Sequence, residues 1–165
     1  MSETSADKVP ADSDIDLHAP AQRFEYLRAP RDTLAAVSIG GAIGALIRWA
    51  VGTAFPAPAT GFPWATLVIN VSGCALIGVL MVLVAEVFTR QRLMRPFLGV
   101  GVLGGYTTFS TYAVDIQRLI AGGAGGVGLL YLAATVVGAL AAVSAGMIAT
   151  RLAIRMVPRG TETTR

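Results

Sequence analysis

The chain has 165 residues, of which 54% are apolar and 14% charged, with a formal net charge of +3. Residues 1–32 hold eleven of the 23 Asp, Glu, Lys and Arg side chains and residues 33–150 only seven, so the globular soluble class is excluded and an integral membrane protein with a hydrophilic N-terminal tail remains. The basic residues are arginines at the ends of apolar runs, without a basic stripe interleaved with aromatics, which excludes a nucleic-acid binder.

The tail, residues 1–32, has Pro, Ser, Asp and Ala but few large apolar side chains, and it is expected to be disordered at least to about Pro20. Phe24, Tyr26 and Leu27 among Arg23, Arg28 and Arg31 fit either a short interfacial helix or a plain linker. Early acids, among them Glu3, Asp7 and Asp12, argue against a signal peptide.

Apolar windows of about 20 residues then predict an all-α membrane protein with four transmembrane helices: Leu34–Phe55, Trp64–Phe88, Phe97–Ile120 and Val127–Ile154. They form one domain, residues 33–155, followed by a C-terminal tail, residues 156–165. In the first span Gly40, Gly41 and Gly44 make a small-residue face that permits close helix approach, and Arg48 follows one turn later. An arginine there either snorkels to the interface or lines water. The loop Pro56–Pro63 stops this helix and sets the entry of the next.

The second span carries Thr66, Asn70, Ser72 and Gly73. A carboxamide in hydrocarbon must face a helix partner or a wet path. Cys74 reads as a small buried packing residue, since a single cysteine builds neither a disulfide framework nor a thiolate cluster. In the third span the run Gly104–Tyr112, GGYTTFSTY, favours a break near the middle of the helix, which would free carbonyls and amides for an ion, water or neighbouring hydroxyls. The alternative is a kinked helix whose Ser and Thr bond back to their own carbonyls. After a flexible run, Ala121–Gly126, the fourth span places Tyr131 and Thr135 on one face.

One membrane side receives Arg23, Arg28, Arg31, Arg90, Arg92, Arg95, Arg151, Arg155 and Arg159, and the other only Arg118. By the positive-inside rule both termini are expected in the cytoplasm of a multi-pass cell-membrane protein.

Three runs, Gly40–Trp49 (GGAIGALIRW), Asn70–Gly73 (NVSG) and Gly104–Tyr112 (GGYTTFSTY), resemble in order and spacing the signature of the Fluc (CrcB-like) fluoride channels, over about residues 33–155. The resemblance implies a four-helix subunit, its third helix broken, that pairs antiparallel with a second subunit to form two pores for fluoride and one central structural sodium ion. By position, Gly104 and Thr107 would give backbone carbonyls to Na+, Asn70 would be the pore's amide donor, and Phe109 and Tyr112 its aromatic pair. Ser110, Thr111 and Thr135 would form a hydroxyl track, and Arg48 would sit near a vestibule. Tyr112 stands where the family usually has phenylalanine, and Asp115 where an acid, more often Glu, follows the motif.

The residue types suit fluoride on their own chemistry. A small, charge-dense anion needs close donors to replace its water, and aromatic rings offer positive edges. A small four-helix drug or cation exporter would need a membrane-embedded carboxylate, whereas Glu86 and Asp115 lie toward span ends. A membrane scaffold would leave Asn70 and the Thr-Thr-Phe-Ser-Thr run unexplained, and no nucleophile–base pair, metal cluster or phosphate loop suggests an enzyme. The antiparallel partner is either a second copy or, given nine arginines against one, a paralogous subunit of opposite bias.

Overall fold

The computed structural model describes residues 31–88 and 91–156. The expectations for residues 1–30, Arg90 and Arg159 lie outside them. Among the described residues helix is the regular secondary structure present, without a strand. Its helices are α1 (Arg31–Ala54), α2 (Trp64–Glu86), a π-wound α3 (Arg95–Leu103), a single turn α4 (Gly104–Tyr106), α5 (Phe109–Ala121) and α6 (Gly125–Met156). Three of them, α1, α2 and α6, are long and apolar enough to cross a membrane. The third predicted span is instead composite, since α3 and α4 run into two extended residues, Thr107 and Thr108, before α5 begins. At 1.5 Å per residue, the 32 residues of α6 reach about 48 Å. That exceeds the ~30 Å of hydrocarbon, so one end must stand in the headgroups.

Local chemistry sets the ends. Pro56 and Pro58 follow α1, and Pro63 precedes α2, where a missing N–H costs nothing. After α5 the chain closes a Schellman turn, in which Ala124 N donates to Leu119 O at 2.8 Å and Gly123 N to Ile120 O at 3.1 Å. Gly123 takes the left-handed φ of +77° that this turn requires. The predicted flexible run is thus a tight turn, and Gly125 and Gly126 already belong to α6.

Close approaches of glycines to facing backbone pack the bundle. Gly78 of α2 faces the Val143 carbonyl of α6, and Gly146 of α6 faces the Ala75 carbonyl of α2. Between α1 and α3, a Cβ on Gly40 would lie 2.5 Å from Phe97 O, and one on Gly44 would run into Val102 O. Gly41 does not join that line: a Cβ there would meet nothing within 4 Å, and it is the Gly41 carbonyl that Gly105 packs against. Tyr112, Leu119 and Tyr131 form a buried cluster with Phe62, Leu67 and Ile116 around it. Much other apolar surface, such as Leu34, Ile39, Val137 and Leu140, points outward, as lipid or a partner helix would require.

Arg92 pairs with Asp32 at 3.7 Å and Arg151 with Glu86 at 3.6 Å. These exposed pairs add little stability. They do place the start of α1 and the ends of α2 and α6 at one end of the bundle. At the other end Gly122 packs on Thr60, one turn beyond Arg118.

Candidate channel site

The site is built around the two extended residues. Thr107 has φ −74°, ψ 156°, and Thr108 φ −148°, ψ 123°, so the helical ladder is interrupted for two residues. Thr107 N and Oγ1 both donate to Leu103 O at 3.0 Å, closing the last turn. Thr108 is held from α2: Asn70 Nδ2 donates to Thr108 O, and Thr108 N donates to Asn70 Oδ1, each at 2.9 Å. Asn70 therefore spends one N–H and one acceptor site on the backbone and keeps a second N–H free for other use. Thr108 also caps α5, its Oγ1 accepting from Thr111 N at 3.1 Å.

This arrangement releases two carbonyls. In a continuous helix Gly104 O would accept from Thr108 N and Thr107 O from Thr111 N. The first N–H is taken by Asn70 and the second by the Thr108 hydroxyl. The two oxygens left without their helical donors are those the sequence resemblance singles out for a cation. Uncharged, hard oxygen donors at an unwound point of a membrane helix suit Na+. Among the described residues there is no group of three or more His, Cys, Asp or Glu that could hold a metal instead.

Two cavities flank Thr108. The first, about 340 Å³, is lined by Arg48, Trp49, Thr66, Thr108 and Thr111 among others. Arg48 lends this cavity its guanidinium group, while its Nε is buried in the protein without a hydrogen-bond partner. The second, about 290 Å³, brings together Asn70, Phe109, Tyr112 and Thr135 with Thr107, Thr108 and Cys74. The structure thus divides the residues singled out from the sequence. Arg48 and Thr111 belong to one cavity, and Asn70, the aromatic pair and Thr135 to the other. Ser110 lines neither, although its Oγ lies 3.3 Å from Thr108 Oγ1.

The side chains differ in what they still offer. Phe109 is 80% exposed and sits 5.8 Å from the Tyr112 ring at 50°. Tyr112 is buried, and its hydroxyl donates to Leu132 O at 3.3 Å, so it presents ring and not phenol to the cavity. Thr135 Oγ1 donates to Tyr131 O at 2.8 Å, which uses its proton. Cys74 is half-buried and part of the cavity wall, beyond the packing role read from sequence.

Two features escaped the sequence reading. Asp115, buried in α5, accepts from Thr66 Oγ1 at 2.8 Å and pairs with Arg118 at 3.2 Å; the i,i+3 spacing of Asp115 and Arg118 is the signal that could have shown half of this. Thr108, indistinct among three threonines, is the hub of the break.

A family model described as CrcB-like protein, Camphor Resistance (CrcB), matches residues 35–147. The chain is 54% identical over 120 residues to a fluoride-specific ion channel FluC 2 of Nocardia farcinica, covering 73% of this chain and 86% of that protein. It is 50% identical over 121 residues to a FluC 2 of Streptomyces avermitilis, covering 73% and 77%. To a FluC 3 of the same organism it is 40% identical over 127 residues, covering 77% and 62%.

Proposed function

We propose that this chain, which belongs to the CrcB-like family, is a fluoride-specific passive ion channel of the cell membrane that exports fluoride from the cytoplasm. The observation that carries the reading is the second cavity, whose wall includes an amide with a spare N–H and an aromatic pair beside an interrupted membrane helix. Fluoride loses hydration on entering a narrow path and regains it from the Asn70 N–H and the positive ring edges of Phe109 and Tyr112. Arg48 lines the first cavity, and its positive charge draws anions into it. Fluoride enters cells as the weak acid and ionises inside, so the flux down its gradient is outward. Asp115 is engaged by Thr66 and Arg118, which supports conduction without proton exchange and disfavours the cation-exporter alternative.

Phe109, Ser110 and Thr111 stand at the surface of a single chain, which supports a pore completed by a second subunit, antiparallel, with a structural Na+ at the freed carbonyls of Gly104 and Thr107. When bound, the ion would hold the interrupted segments together. The arginine bias supports a cytoplasmic location for both termini, and with it an inverted partner that is a paralogue of opposite bias or a minority of inverted copies of this chain. The presence of a FluC 2 and a FluC 3 in one Streptomyces supports the former.

The test is halide efflux from liposomes holding the chain alone or co-expressed with such a paralogue. Fluoride efflux well above chloride, lost on Phe109→Ile while assembly is kept, is the expected result. Equal fluoride and chloride fluxes in both preparations would sink the reading.

A further inference from the structure

We infer that Thr108 is the passage between the two cavities and that its hydroxyl hands the anion from one to the other; this rests on the channel reading above. Of the residues lining the two cavities, Thr108 alone borders both. It is 7% exposed, so an ion moving from the Arg48 side to the Asn70 side meets its side chain as the dividing wall. Its backbone cannot serve the ion, because N and O are both engaged by Asn70.

The hydroxyl can. Its oxygen accepts from Thr111 N, a bond that fixes where Oγ1 sits. Its proton points to Thr111 Oγ1 at 3.0 Å, with Ser110 Oγ at 3.3 Å as a second neighbour. A hydroxyl hydrogen rotates freely about its C–O bond, so it can swing from Thr111 to an anion in either cavity without releasing the helix cap. Nothing is stranded when it does, because Thr111 Oγ1 only gives up a donor and stays near solvent-accessible surface. The methyl adds bulk to the one side chain that the two cavities share. Hydroxyl and methyl thus have separate tasks: one replaces water around the ion, and the other sets the width.

Three variants separate these tasks from a general loss of structure. Fluoride and chloride efflux are measured in liposomes for Thr108→Ser, Thr108→Val and Thr108→Ala, in the preparation where the wild type conducts, after gel filtration shows the wild-type assembly. Thr108→Ser keeps the donor and conducts fluoride within about threefold of wild type. Thr108→Val keeps the shape but has neither the donor nor the acceptor that caps α5; its fluoride flux falls roughly tenfold or more, about 1.4 kcal/mol in the barrier, and falls more than chloride flux, which loss of the cap alone would not produce. Thr108→Ala opens the wall, and chloride flux rises relative to fluoride. Damage to the fold alone would lower both halides together and leave their ratio unchanged. Wild-type fluxes from Thr108→Val, or an unchanged halide ratio in Thr108→Ala, would overturn the assignment of Thr108. A wild type that passes no fluoride in any preparation would overturn the channel reading itself.

Discussion

Gly44→Ala is the sharpest probe of how the interrupted helix is held. A Cβ at this position runs into Val102 O and lies 2.8 Å from Tyr106 N and 3.0 Å from Val102 C. Comfortable contacts are about 3.5–4.0 Å, so α1 must back away by roughly 1 Å. The atoms it meets are backbone, which cannot rotate aside as a side chain would. Overpacking of this kind costs about 1–3 kcal/mol. The displaced residue, Tyr106, is the last before the extended pair Thr107–Thr108, so the loss extends from stability to conduction. Gly41→Ala, three positions earlier, meets nothing within 4 Å and is expected to be neutral, or to gain up to about 0.5–1 kcal/mol from helix propensity. Chemical unfolding in mixed micelles, with fluoride efflux from the same preparations, measures the pair. If both variants unfold at the wild-type midpoint and conduct equally, the glycine contact does not hold the break.

Tyr112→Phe removes a hydrogen bond to Leu132 O and nothing that faces the cavity. It is expected to cost about 0.5–1.5 kcal/mol while fluoride-to-chloride selectivity stays at its wild-type value; a changed selectivity in the efflux assay would mean that the phenol contacts the ion. Asp115→Leu strands the Thr66 hydroxyl in a buried site and should lower stability by about 1–3 kcal/mol, read from the unfolding midpoint. Asp115→Asn retains an acceptor for Thr66 and should conduct fluoride equally with and without a proton gradient at fixed membrane potential; dependence on the proton gradient in the wild type, lost in this variant, would make Asp115 a proton-coupling group.

What could be read from the sequence follows the range of the forces involved. The ends of α1, α2 and α6 lie within a few residues of the apolar windows, because prolines and the Gly122–Gly123 turn act locally. The third span was harder. Its composition points to a break somewhere in Gly104–Tyr112, and the extended residues, Thr107 and Thr108, fall inside that run; within it Gly104 and Gly105 are helical, and Gly105 packs on Gly41. The chain departs from helix at the two threonines because Asn70, 38 residues away, supplies the pairing that Thr108 loses. No local pattern carries that information. The role of Asp115 was hidden for the same reason, since Thr66, its donor, stands 49 residues earlier. Residue types that could bind an anion were legible; their division between two cavities required the coordinates.

The pairing of Asn70 with Thr108 makes one amide proton a contested object. Thr108 N–H can belong to Asn70 Oδ1, as it does, or to Gly104 O, as an uninterrupted helix would have it. It cannot satisfy both well. Whatever weakens Asn70's hold, whether substitution or a shift of α2, returns the proton to Gly104 and removes an oxygen from any cation's reach. The same side chain that offers its remaining N–H to an anion therefore also decides how electronegative the break is on its other side. Anion and cation would be linked through ownership of a single hydrogen, without any contact between them.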